Sequence, residues 1–154
     1  MKISELLKPE AIVAELHATN KSKVLAEMTN ALVACYPSLD RDKVIGVLQN
    51  REKLGSTGIG DGVAIPHGKL EGIPELMLAF GRSRKGVDFE SMDGQSAHLF
   101  FLLLAPAESV GITLKTLAHI SKFLKNGSVR QKLLEAADQA AIYQAILSEE
   151  DLIP

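Results

Sequence analysis

The chain has 154 residues, 46% of them hydrophobic and 23% charged, with a formal net charge of −2. A chain of this length favours one domain, residues 1–154, burying roughly 70% of its unfolded surface without metal or disulfide staples. Its single cysteine, Cys35, excludes an internal disulfide and a cysteine metal cluster, and the absence of a dense basic run argues against nucleic acid as a partner.

Met1-Lys2-Ile3-Ser4-Glu5 has no apolar signal core. A short helix or turn is expected over residues 3–7 and a strand over 12–16. A helix follows over 21–36, with Val24, Leu25, Met28, Leu32 and Cys35 as its buried stripe. Within that stripe Cys35 reads as a small hydrophobe rather than a reactive thiol. Pro37 stops the helix, Asp40 is placed to cap a second one over 41–53, and Gly55 is placed to end it.

Residues 55–72 hold six glycines and read as a structured loop with a very short strand at Val63-Ala64-Ile65. Residues 76–82 read as a strand, and Asp93-Gly94 as a turn. Residues 98–104 are apolar throughout, as in a strand covered on both faces. The run stops at Pro106, far short of the ~20 residues of a membrane helix. The last third reads as three helices, 112–125, 129–136 and 139–147, with Ser128 and Asp138 as caps for the latter two. Strands interleaved with helices imply an α/β, three-layer-like sandwich around one sheet. The lack of a leader or membrane span places the expected protein in the cytoplasm.

The chemistry concentrates between Arg51 and Gly68. Glycines at 58, 60 and 62 let the backbone turn closely and present N–H groups to an anion. Val63 occupies the third glycine place of a dinucleotide motif, and no Gly-Lys-Ser/Thr completes a P-loop. His67 follows Pro66, which fixes φ, and precedes Gly68, which leaves room beside the backbone. A histidine nucleophile needs one ring nitrogen unprotonated and the other held by an acceptor. Spacing alone leaves both a functional and a structural His67 open. Arg51 continues the face of Val44, Val47 and Leu48, so it either meets an anion or lies in water at a frayed end.

Glu52, Ile59-Gly60 and Val63-Ala64-Ile65-Pro66-His67-Gly68 together resemble the phosphorylation motif of the fructose/mannitol-type enzyme IIA domains of the sugar phosphotransferase system. Gly86-Val87-Asp88-Phe89, Asp93-Gly94 and Leu102-Leu103-Leu104-Ala105-Pro106 extend the resemblance over nearly the whole chain. The flanks Arg51-Glu52-Lys53 and His67-Gly68-Lys69-Leu70-Glu71 are most similar to the nitrogen-regulatory branch. The resemblance implies a mixed central sheet flanked by helices and no cofactor. It also implies phosphoryl transfer to His67 from a histidine phosphocarrier protein, with Arg51 contacting the group. The acceptor would be an enzyme IIB in sugar transport, or regulatory targets would respond in the nitrogen branch. Thr57, Gly58 and Gly60 are the candidate phosphate loop.

One departure stands out. Thr113 occupies the place where the family commonly has a second histidine, in the first turn of a helix and on the face of Leu117, Ile120 and Leu124. It either contributes a hydroxyl beside the phosphoryl group or merely caps the helix. His17 reads as exposed, His98 as a strand cap or a neighbour of the site, and His119 as a core-edge residue. No histidine pair has metal-ligand spacing with a third ligand. The rival readings are a sugar-specific IIA and an interaction module without phosphorylation; intact Arg51 and His67 argue against the latter.

Overall fold

A computed structural model describes residues 2–152. A helical turn α1 (Ile3–Leu6) leads into strand β1 (Leu7–Val13). Helices α2 (Lys21–Cys35) and α3 (Arg41–Lys53) follow, then the short strands β2 (Gly58–Gly60), β3 (Val63–Ala64) and β4 (His67–Leu70). Two long strands, β5 (Met77–Val87) and β6 (Ala97–Pro106), precede helices α4 (Val110–Lys125), α5 (Gly127–Glu135) and α6 (Gln139–Leu152).

The sheet has 6 strands in the order β1-β5-β6-β3-β2, with β4 paired to β6 beyond β3. β1 runs parallel to β5, β5 antiparallel to β6, and both β3 and β4 parallel to β6, so the sheet is mixed as the resemblance implies. Helices cover both faces. Gly81 abuts Leu16 and Met28 of the α2 side. Its neighbour Arg82, only 1% exposed, points the other way and donates to the carbonyls of Leu133 and Ala136 at the end of α5. Residues 99–105 of β6 are all buried, and Phe101 and Phe100 meet Phe80 and Phe89 edge to face with ring centroids 5.0 and 5.4 Å apart.

Several boundaries differ from the sequence expectation. The first strand is Leu7–Val13, not 12–16. Pro9 discourages a strand reading, but β1 is an edge strand, where a missing donor is tolerated. β5 continues past residue 82 to Val87 through a register shift that periodicity does not reveal. α4 starts two residues earlier than expected. The cap of α5 is Asn126, which accepts from the N–H groups of Ser128 and Val129; Ser128 lies inside the helix. α6 runs on to Leu152 because Glu149 and Glu150, which look like a solvated tail, are only 5% and 4% exposed. Lys132 meets Glu149 at 2.8 Å, while Glu150 accepts from Ile3, Ser4 and His119 and so ties α1 and α4 to α6.

Candidate functional site

α3 brings the first half of the site. Asp40 caps it as expected, accepting from the N–H groups of Asp42 and Lys43. Val44 and Leu48 are buried, and Val47 lies against Gly68, where an added Cβ would come within 3.1 Å of Val47 Cγ2. The close fit of β4 on α3 therefore depends on that glycine. It brings the last turn of α3 alongside the start of β4. Arg51, half-buried in that turn, donates from Nη1 to the carbonyl of Gly55 at 2.8 Å, which anchors the guanidinium.

His67 opens β4 opposite Leu103, and the Leu103 N–H donates to the carbonyl of Pro66 at 2.9 Å. The half-buried imidazole places Nδ1 2.8 Å from the carbonyl of Ile65. A carbonyl only accepts, so Nδ1 carries the proton and the neutral ring has its lone pair on Nε2. Burial pushes the His67 pKa below its ordinary 6.5; the Ile65 carbonyl and Glu52 oppose this, and the Arg51 charge reinforces it. At neutral pH the ring is uncharged, with the Arg51 charge acting on it.

The glycine loop is held by internal partners. Thr57 donates both its N–H, at 3.1 Å, and its hydroxyl to the Glu52 carboxylate. The Gly58 N–H donates to Ser56 Oγ at 3.0 Å, and its carbonyl accepts from Met92. Thr57 and Gly58 thus brace the loop through these donors. An added Cβ on Gly58 would fall 2.3 Å from Ser91 Oγ. Gly60, at φ 96°, pairs with Val63 across the β2–β3 hairpin. Its neighbour Asp61 donates its N–H to Asp93, which also accepts from the Gln95 N–H; these bonds hold the Asp93 carboxyl below the usual carboxylate range.

Thr113 lies one turn into α4, 5% exposed, and its hydroxyl donates to the Ser109 carbonyl at 2.5 Å. It is neither the helix cap nor a free donor. His98 contacts the Ser83 carbonyl through Nδ1 at 2.9 Å, and its ring fills the space beside Gly86, so it packs the β5–β6 hairpin. His119 donates to Glu150 at the core edge, and His17 is exposed. Cys35 is half-buried, with burial pushing its thiol pKa up. Among the described residues no group of three or more His, Cys, Asp or Glu side chains could hold a metal. No described helix is long and apolar enough to cross a membrane. The sequence reading did not single out Glu52 beyond its place in the motif. Its only sequence signal is that motif place, because the Lys21 and Thr57 groups that bury it come from α2 and the glycine loop.

The family profile for the phosphoenolpyruvate-dependent sugar phosphotransferase system, EIIA 2, matches residues 5–149. The chain belongs to this family. It is 42% identical to the nitrogen regulatory protein of Bradyrhizobium diazoefficiens over 146 residues, 95% of each chain. It is 40% identical to the fructose-specific EIIABC component of Bacillus subtilis, covering 95% of this EIIA chain but 23% of that larger protein. The crystal structure of the IIA-Ntr protein of Neisseria meningitidis superposes with a TM-score of 0.86 at 33% identity, covering 94% of this chain and 98% of that one. The mannitol IIA of Escherichia coli shares the fold at a TM-score of 0.75 and 19% identity, over 90% of this chain and 97% of that one. As an EIIA domain, the chain belongs to a phosphoryl-transfer system.

Proposed function

We propose that Nε2 of His67 accepts a phosphoryl group from a cytoplasmic histidine phosphocarrier protein, and that this EIIA domain relays the group with a nitrogen-related regulatory output. The observation that carries the reading is the Ile65 carbonyl 2.8 Å from Nδ1, which leaves Nε2 free on a ring coupled to Arg51. As the donor's phosphorus–nitrogen bond breaks, the donor ring recovers its electron pair and the His67 Nε2 pair forms the new bond. The positive charge this leaves on the His67 ring is stabilised by the Ile65 carbonyl at Nδ1. Arg51 supplies guanidinium donors to the phosphoryl oxygens, which carry the charge of the transition state. Little covalent chemistry is asked of the protein beyond alignment and charge.

The regulatory output is supported by the full-length match to the Bradyrhizobium protein, with 95% of each chain aligned. Transfer to an enzyme IIB is the second reading, favoured by 40% identity to the fructose-specific component. The test is incubation with labelled phosphoenolpyruvate, enzyme I and the phosphocarrier, then with a fructose-type IIB. The expected result is an acid-labile, alkali-stable label on His67 that a IIB does not drain. A His67→Ala variant that takes up the same label would overturn the assignment, and rapid drainage to the IIB would select the sugar-uptake reading.

A further inference from the structure

The carboxylate of Glu52, whose side chain is 6% exposed, stands one residue past Arg51 at the end of α3. A buried carboxylate is costly unless it is paired and hydrogen-bonded. Here Lys21 Nζ approaches from α2 at 3.0 Å, while the Thr57 N–H, at 3.1 Å, and hydroxyl approach from the glycine loop. Lys21 is itself held over the Phe89 ring, 4.8 Å from its centroid, and 3.5 Å from Glu90. The contacts continue beyond Thr57. Its carbonyl accepts from the Ile65 N–H at 3.0 Å. The Ile65 carbonyl in turn accepts from His67 Nδ1 at 2.8 Å. Glu52, Thr57, Ile65 and His67 are thus joined by consecutive hydrogen bonds, and nothing in this path requires Glu52 to approach a phosphoryl group, which its charge would repel.

We infer that Glu52 is a positioning residue for phosphoryl transfer: by clamping Thr57 it fixes the Ile65 peptide, which keeps the proton on His67 Nδ1 and leaves Nε2 open. The inference rests on the reading of His67 Nε2 as the acceptor. A free imidazole in water favours the proton on Nε2, the wrong nitrogen for this reaction, so the site must impose the other tautomer. The carboxylate's negative charge also favours the imidazolium character that develops at His67 when Nε2 forms its bond.

The test is long-range ¹H–¹⁵N NMR of the His67 ring in the full chain at alkaline pH, with Glu52→Gln, Thr57→Val and Thr57→Ser. Wild type should show a protonated Nδ1. Glu52→Gln and Thr57→Val should each raise the Nε2–H form, and Glu52→Gln should slow phosphorylation by the carrier about tenfold. Thr57→Ser, which keeps the hydroxyl, should keep the wild-type signature. Thr57→Val removes one donor without changing shape, so it decides the matter where Glu52→Gln does not fold. A Nδ1–H signature unchanged in the folded variants, even with a lowered melting temperature, would reduce Glu52 to a brace and overturn the inference. Failure of wild type to take label on His67 would instead overturn the acceptor reading, while the tautomer measurement would still judge the link from Glu52.

Discussion

Replacing Arg51 with lysine keeps the charge and removes the fork. The Arg51 guanidinium already uses Nη1 to reach the Gly55 carbonyl at 2.8 Å, and its remaining donors can face a phosphoryl group without giving up that anchor. An ammonium on a flexible stem cannot make both contacts in a fixed geometry. The loss is one charge-assisted hydrogen bond in the transition state, about 1.5–3 kcal/mol, which corresponds to a rate lower by about 10- to 150-fold. Rapid-quench transfer from the phosphorylated carrier reads the rate, and a thermal melt of the same samples should move little, since the Gly55 contact lies at the surface. His67 supplies an internal control. After burial, the Arg51 charge lowers its pKa, so Arg51→Lys should hold the ring's titration midpoint and Arg51→Ala should raise it. Wild-type transfer kinetics in Arg51→Lys, with the midpoint held, would refute the argument that the fork contacts the transferring group.

The His67 ring, followed by NMR, should titrate below its ordinary 6.5. The unfolded chain then binds more protons in that window, so the contribution of His67 to stability rises with pH across it, and His67→Asn should flatten the slope. Thr113→Val should leave transfer within about twofold, because the hydroxyl already donates to Ser109; a larger drop in the quenched-flow rate would bring that hydroxyl into the site. Glu150→Ala removes the acceptor for Ile3, Ser4 and His119 and should lower unfolding stability by about 3 kcal/mol in urea titrations. Burial alone would raise the Glu150 pKa, but its hydrogen bonds outweigh that and lower it, so this loss should be full above pH 4.5 and shrink as pH falls through the depressed value. Gly58→Ala forces a Cβ to within 3.0 Å of Ser91 Cα and should cost about 1–3 kcal/mol by calorimetry; an unchanged melting temperature would mean that the 88–94 loop gives way freely.

The parts of the fold that were legible are those coded locally. Asp40 announces α3, and the unbroken apolar run of residues 99–105 announces a strand buried on both faces. β2 and β4 were not legible because three or four glycine-containing residues have no periodicity of their own; they become strands through pairing with β3 and β6. The end of α6 was missed for an electrostatic reason: Glu149 and Glu150 are buried only because Lys132, His119 and the α1 backbone wait for them, and none is near in sequence. At the site, His67 and Arg51 could be named from the motif. The roles of Thr57 and Gly58 could not, since a loop donor pointing inward and one pointing at a ligand read the same.

β6 has two partners in succession along one edge, β3 beside Leu99 and Phe100 and β4 beside residues 103–106. The changeover falls at Pro66, which has no N–H to give. Pro66 still accepts the Leu103 N–H through its carbonyl, while the carbonyl just before it faces the imidazole of the residue just after it. Pro66 also restricts the residue before it to extended backbone, which limits how the Ile65 peptide can turn. The proline therefore stiffens the peptide that meets the imidazole at the point where β6 changes partners.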